Sequence, residues 1–366
     1  MAIHQARSVD DVCRFVKDTE RVRVVAGGSK PALSANATLS MSGLSGVTQY
    51  DPDEYTFTAW AGTPVSEING VLAGHQQNLP FDPPFASAGA TLGGSVAAGL
   101  SGPGRFRFGG IRDFIIAATM VNGKGEVVCG GAKVVKNAAG FDLPKLMVGS
   151  LGRYGVLLDL TFKVFPAPDA SASLVVQFDD EIAAVSTMKK LSAAPLDLHC
   201  LDFTPPAELS IRVSGLANAL HARLRRIEES LVGARGVKWI DDDTNLWQSV
   251  GDFQWLPAEQ GFAKVPIVPD QIQPIEKMLQ NIDIPRRYSV GGNVMWVGFG
   301  EAFGLDQLLK GLEQLKCRAL VIRGSTDNCL PGVEANGFDA RLRSVFDPEN
   351  KMQGPWQLNP TKTNAT

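Results

Sequence analysis

The sequence predicts an α+β protein in two parts: a glycine-rich first domain, then a second domain built on an antiparallel sheet with helices on one face. Three observations predict it. Strand-like runs such as YTFTAWA (55–61) and GVLLDLTFKVF (155–165) are mixed with short helices through the first 165 residues. Pro166 and Pro168 then follow the strongest strand and mark a boundary. Beyond them, strand and helix patterns succeed one another to about residue 323. The expected divisions are 1–166, 167–335 and a C-terminal segment, 336–366, that returns to the first domain and ends in a frayed tail.

Taken in order, Ser8-Val-Asp-Asp reads as an N-cap with an acidic first turn, and Val12, Phe15 and Val16 share one face of the helix that follows. RVRVVA (21–26) alternates as a strand, and Gly27-Gly28-Ser29-Lys30-Pro31 turns sharply. Thr63-Pro64 reads as an N-cap followed by proline at the first helical position, with a helix to about Leu72. Phe114–Val121, then Asn122-Gly123-Lys124-Gly125, then Glu126–Cys129 form a hairpin signal. In the second part, strands are expected near 173–178, 196–203, 208–213, 236–240, 264–268, 286–290, 294–299 and 318–323. Helices are expected near 180–192, 216–232, 244–254, 270–281 and 303–315.

Composition narrows the function. The 366 residues carry a net charge of −3, which leaves no nucleic-acid footprint. MAIHQARSVDDV has no apolar core of a signal peptide. Five cysteines (13, 129, 200, 317, 329) are scattered without a CxxC, and the four histidines (4, 75, 199, 221) show no metal-ligand spacing. No metal, no disulfide framework and a reducing cytoplasm are the expectations.

The most informative stretch is 84–131. No charge falls between Asp82 and Arg105, and glycines stand at 89, 93, 94, 99, 102 and 104. The segment is long enough for a membrane span, but Gly, Ala, Ser and Pro compose it, so no span is expected. The buried-strand pattern FIIAATMV follows directly, which argues against a linker. Glycine here costs backbone entropy, and turns of this kind fan N–H groups around an anion. RFRFGGIRD (105–113) then supplies cations and aromatics. Together these imply a bound diphosphate attached to a flat ring system. A GxGxxG fingerprint and a P-loop are both absent from the sequence.

Four segments in order resemble the vanillyl-alcohol oxidase family of flavoproteins, with its PCMH-type FAD-binding domain. They are VVAGGSK (24–30), GATLGGSVAAGLSG (89–102), RFRFGGIRDFIIAATMVNGKGEVV (105–128) and KNAAGFDLPKLMVGSLGRYGVLLDLTFKVFP (136–166). Phe346-Asp347-Pro348 is similar to the family's C-terminal return. The short GSLG segment and Gly291–Trp296 most resemble the E-subunit branch found in glycolate oxidase (glycolate dehydrogenase) complexes. The implied fold is a PCMH-type FAD domain followed by an α+β cap domain with an antiparallel sheet.

What the resemblance implies for the site is specific. Ala26, Gly27, Gly28, Ser29 and Lys30, with Gly89, Thr91, Gly93, Gly94 and Ser95, would offer backbone N–H groups and hydroxyls to the FAD diphosphate. Ala98, Gly99 and Ser101 would line the flavin side. Gly152 and Val156, within Leu151–Leu157, would clamp adenine and ribose. Arg107 heads the candidate cations, with Arg105, Arg112 and Lys136. No histidine stands in the first loop, so FAD is expected to be non-covalent. Also absent is the family's H-x-G-D-G-N motif, so the catalytic residues are not assigned, and His199 and His221 read as ordinary polar side chains. The implied partners are a larger FAD-containing catalytic subunit and an iron–sulfur subunit passing electrons to quinone. The substrate at the level of the complex is a 2-hydroxy acid, glycolate. The implied location is cytoplasmic, peripheral to the inner membrane through those partners. The alternative is a stand-alone flavoenzyme acting on another small alcohol or hydroxy acid.

Overall fold

The computed structural model describes residues 3–131, 142–324 and 337–354. The first half is centred on a five-stranded antiparallel sheet, ordered Val47–Asp51, Thr56–Trp60, Val156–Lys163, Ile115–Val121 and Val127–Gly131. In Val156–Lys163, Phe162 stacks on Phe57 of the adjacent strand, and Leu160 packs into a buried core with Met120 and Ala118. A small parallel sheet of His4–Gln5, Leu39–Ser40 and Val24–Val25 lies alongside. The helix Val9–Asp18 closes it. Its Ser8 cap accepts a hydrogen bond from Asp11 N, and Val12 and Val16 are buried.

Two elements differ from the expectation. Thr63 does not cap the helix Val65–Ala73 with its side chain. Its hydroxyl instead accepts from Gly46 N at 2.9 Å and donates to Gly46 O at 3.1 Å, and Pro64 stands at the N-cap rather than at the first helical position. The glycine-rich 89–102 stretch, for which no helix is expected, contains the helix Leu92–Ala98. Two glycines in a helix cost about 1 kcal/mol each. Packing overrides that cost: a Cβ on Gly93 would come within 2.6 Å of Ala61 Cβ, so only glycine lets the helix approach so closely. Thr91 caps its start through Gly94 N, and Gly99, at φ 62°, ends it.

The second half is one eight-stranded antiparallel sheet. Its order is Gly236–Ile240, Ala170–Gln177, Glu208–Gly215, Cys200–Thr204, Arg286–Ser289, Val294–Phe299, Gly261–Pro266 and Leu320–Arg323. Strict alternation gives it two unlike faces. Leu174, Ile211, Phe203, Tyr288, Val297 and Val265 point to an outer, apolar face. That face is covered by the helices Glu181–Ala193, Ala217–Glu229, Ile272–Met278 and Leu305–Gln314. The intervening residues Ser173, Arg212, Asp202, Arg287, Trp296 and Lys264 face the first half. The antiparallel sheet with helices on one face is the expected fold class.

The C-terminal segment packs on the first half. In the helix Gly337–Phe346, Asp339 accepts from the Tyr154 hydroxyl at 2.8 Å, and Phe346 O accepts from Gly123 N. Asp347 holds the next turn through Lys351 N and Met352 N, and Met352 bridges to Val22.

Candidate functional site

A cleft of about 930 Å3, counting its open mouth, runs across the first half. Most of its wall comes from three separate segments, 22–35, 91–98 and 151–157, with Met41 and Ala61 between them. Gln353 and Gly354 of the C-terminal return complete it. The cleft falls in the size range of cofactor sites. Among the expected residues, Ala26, Gly27, Gly28, Ser29, Lys30, Thr91, Gly93, Gly94, Ala98, Gly152 and Val156 line it.

The first loop is built to take an anion. Among the described residues, no acceptor takes the backbone N–H groups of Gly27, Gly28, Ser29 or Lys30. Gly28 at φ 66° supplies the left-handed step that lets successive N–H groups converge. Gly27 is required for a different reason: a Cβ there would lie 1.8 Å from Gly89 O, so the two glycine loops meet backbone to backbone.

Lys30 adds the charge. It is 7% exposed, its Nζ donates to Ser29 Oγ at 2.9 Å, and it lies over the Phe85 ring. Among the described residues no carboxylate pairs with it. Burial pushes its pKa down from 10.5 to about 8. A buried ammonium without a counter-ion beside unpaired amides fits an anionic ligand that brings the missing charge.

The remaining expected residues lie off the cleft wall. Gly89 packs under Gly27, as described. Ser95 is buried in the helix Leu92–Ala98, its hydroxyl without a partner among the described residues. Gly99 is the left-handed helix cap, with its carbonyl taken by Lys264. Ser101 Oγ accepts from Ile111 N. Arg107 pairs with Asp197 at 2.8 Å. Arg105 and Arg112 are exposed, and Lys136 lies outside the described residues. One expectation is corrected in detail: the N–H groups of 92–95 are not free donors. They are taken by Thr63 O, Ala61 O, Thr91 Oγ1 and Thr91 O. Neighbouring backbone and the Thr91 cap have used these amides, so the longest run of open donors among the described residues is in the first loop.

Sequence reasoning missed Arg23, Met41, Ala61, Gln353 and Gly354 on the wall. The Phe346-Asp347-Pro348 return was the one signal for the last two. It also missed the inner face of the large sheet. There Lys264, 9% exposed, donates to Gly99 O at 3.1 Å, and burial lowers its pKa to about 8. Arg287 donates to Asp202 and Thr204, while its Nη2 has no partner among the described residues. Arg212, Ser171 and Ser173 converge on the fully buried Asp243.

This fold and cleft suit an anionic cofactor, and comparison with known proteins places the chain among the FAD-binding oxidoreductases. A family model described as an FAD binding domain matches residues 1–130. The chain is 35% identical over 256 residues to the glycolate oxidase subunit GlcE of Escherichia coli, covering 68% of each. It therefore belongs to the FAD-binding oxidoreductase family of glycolate oxidase subunit GlcE, and FAD is its cofactor. A D-lactate dehydrogenase of Anaerostipes hadrus is 27% identical over 208 residues, 54% of this chain but only 43% of that relative's length. A solved structure of alkyldihydroxyacetonephosphate synthase shares the fold at a TM-score of 0.70, with 16% identity, over 95% of this chain and 76% of the other. Among the described residues, no helix is long and apolar enough to cross a membrane.

Proposed function

We propose that this chain is the FAD-binding subunit of a complex that oxidises glycolate to glyoxylate. The observation that carries the cofactor half of this reading is Lys30, a buried cation that among the described residues has no carboxylate partner, set against four amides unpaired among those residues. The likeness to GlcE supports the substrate and the assembly. Bound FAD supplies the two-electron acceptor that the oxidation of a 2-hydroxy acid requires. This chain's part is to hold the diphosphate at 27–30, enclose the cofactor with 91–98 and 151–157, and exclude water behind the C-terminal return. Partner subunits, a larger FAD-containing catalytic chain and an iron–sulfur chain, take the electrons on towards quinone. They also bring this otherwise cytoplasmic chain to the inner membrane. FAD is held non-covalently, so acid precipitation leaves the flavin in the supernatant; flavin in the pellet overturns that part.

A second reading, a chain that turns over a small hydroxy acid alone, is favoured by the buried cations Lys264 and Arg287 on the inner face of the large sheet. A dye-reduction assay separates the two. The purified chain is expected to be silent with glycolate and to become active on co-expression with its partners. Turnover by the lone chain on the order of 1–10 per second rules out the accessory-subunit reading.

A further inference from the structure

We propose that Asp82, His199 and Cys200 form a metal site, for a thiophilic divalent cation of the zinc type, that ties the first half of the chain to the second. Asp82 belongs to the loop before the glycine-rich segment, and His199 and Cys200 open a central strand of the large sheet. One ligand atom from each lies within 4.8 Å of the other two. Among the described residues, no other group brings three metal-ligating side chains together in this way.

The second observation is the state of His199. It is 3% exposed. Its Nδ1 is 2.7 Å from Ser214 Oγ, and its Nε2 is buried with no hydrogen-bond partner among the described residues. In the tautomer that donates from Nδ1 to Ser214, Nε2 carries a free lone pair. This is how a metal-bound imidazole is usually oriented, by a hydrogen bond from its other nitrogen. The other two ligands are also uncommitted. Asp82 uses Oδ2 to accept from Gly104 N, which leaves Oδ1, and it has no ion-pair partner among the described residues. Cys200 is completely buried and free.

The spacing favours a metal over a hydrogen-bonded trio. No hydrogen bond joins the three side chains. Zinc bonds of about 2.0–2.3 Å set tetrahedral ligands roughly 3.3–3.7 Å apart, so the trio needs to close by only about 1 Å at its widest. Thiolate, imidazole and carboxylate together are a zinc-type donor set, and three protein ligands leave a fourth position for water. Asp82 lines a large open cleft between the halves, which supplies the entry path. The nearby Arg212 charge is already neutralised by Asp243, 3.0 Å away. The spacing of histidines and cysteines in the sequence did not reveal this group, because its carboxylate stands more than a hundred residues before the other two ligands.

The test uses the FAD-loaded full chain, dialysed against chelator. Titration with Zn2+ in competition with a chromogenic chelator is expected to show one tight site per chain, and Co2+ to give a thiolate-to-cobalt charge-transfer band. Cys200→Ser should abolish the band, whereas Cys129→Ser, at an exposed thiol, should keep it. Asp82→Asn and His199→Gln should each weaken Zn2+ at least tenfold, and Ser214→Ala roughly 10–100-fold. Zn2+ should raise the melting temperature of the parent chain but not of Asp82→Asn, which keeps the size of the side chain and an acceptor for Gly104 N and is the variant to rely on if Cys200→Ser does not fold. A parent chain that gives no cobalt band at one equivalent, a band that survives Cys200→Ser, or equal Zn2+ affinity in Asp82→Asn overturns the proposal.

Discussion

The cofactor cleft and the inner face of the large sheet are both polar and both buried, but they are made of different material. The cleft is walled by backbone: glycine turns, unpaired N–H groups and one lysine. The inner face is made of side chains, Ser173, Arg212, Asp243, Asp202, Arg287 and Lys264, presented by strand alternation. Lys30 and Lys264 sharpen the contrast. Burial lowers each to a pKa of about 8. Lys30 faces open amides and awaits an anion, whereas Lys264 is spent on the Gly99 carbonyl at the end of a helix. A site made of backbone shows itself in the sequence as glycine. A site made of side chains shows itself only when strands are paired.

Gly94→Val breaks the comparison most severely. A Cβ at 94 would sit 3.1 Å from Thr91 Oγ1, so that the cap must give way slightly, and 3.8 Å from Lys30 Nζ, so that a branch there is expected to reach into the anion site. Loss of two charge-assisted bonds, about 3–6 kcal/mol, lowers FAD affinity by over a hundredfold. Flavin content of the folded variant measures it, and one flavin per chain would remove the diphosphate from this position.

Asp243→Ala attacks the other region. It strands Arg212 and two serine hydroxyls, and removing one partner of a buried pair costs about 3–5 kcal/mol. Denaturant unfolding should show that loss while folded molecules keep their flavin. Flavin loss at unchanged stability would mean that the two regions are not separable.

Lys30→Met should weaken FAD by about 1.5–3 kcal/mol, roughly 10- to 150-fold. The pH dependence follows from the lowered pKa. Between about 8 and 10.5 the unfolded chain binds more protons at this site than the folded apoprotein, so apoprotein stability gains from Lys30 as pH rises through that window. The diphosphate needs the ammonium form, so FAD affinity should fall as pH climbs past about 8. Titrations across pH should show that fall in the parent and a flat profile in Lys30→Met; parallel profiles would acquit Lys30.

Gly70→Ala should have the smallest effect. Gly70 is exposed within the helix Val65–Ala73, with open space around its Cα. Alanine should add about 1 kcal/mol of stability and leave flavin content unchanged. Thermal unfolding checks this, and flavin loss here would show that glycine replacement is damaging wherever it falls.

The sequence by itself determined the fold class, because alternation in runs such as 55–61 and caps such as Ser8 act over a few residues. It also marked the first glycine loop, since only turns and close backbone approach call for Gly27-Gly28. Tertiary structure decided the rest. It made 92–98 a helix against glycine propensity, because packing on Ala61 outweighs a local cost of about 2 kcal/mol. That helix consumed the amides of 92–95, and Thr63 was turned from its cap to Gly46. Asp82, more than a hundred residues away in the chain, was brought beside His199 and Cys200. Local propensities are written along the chain; contacts across the seam between the halves exist only once both have folded, because their partners are far apart in sequence and are specified by packing.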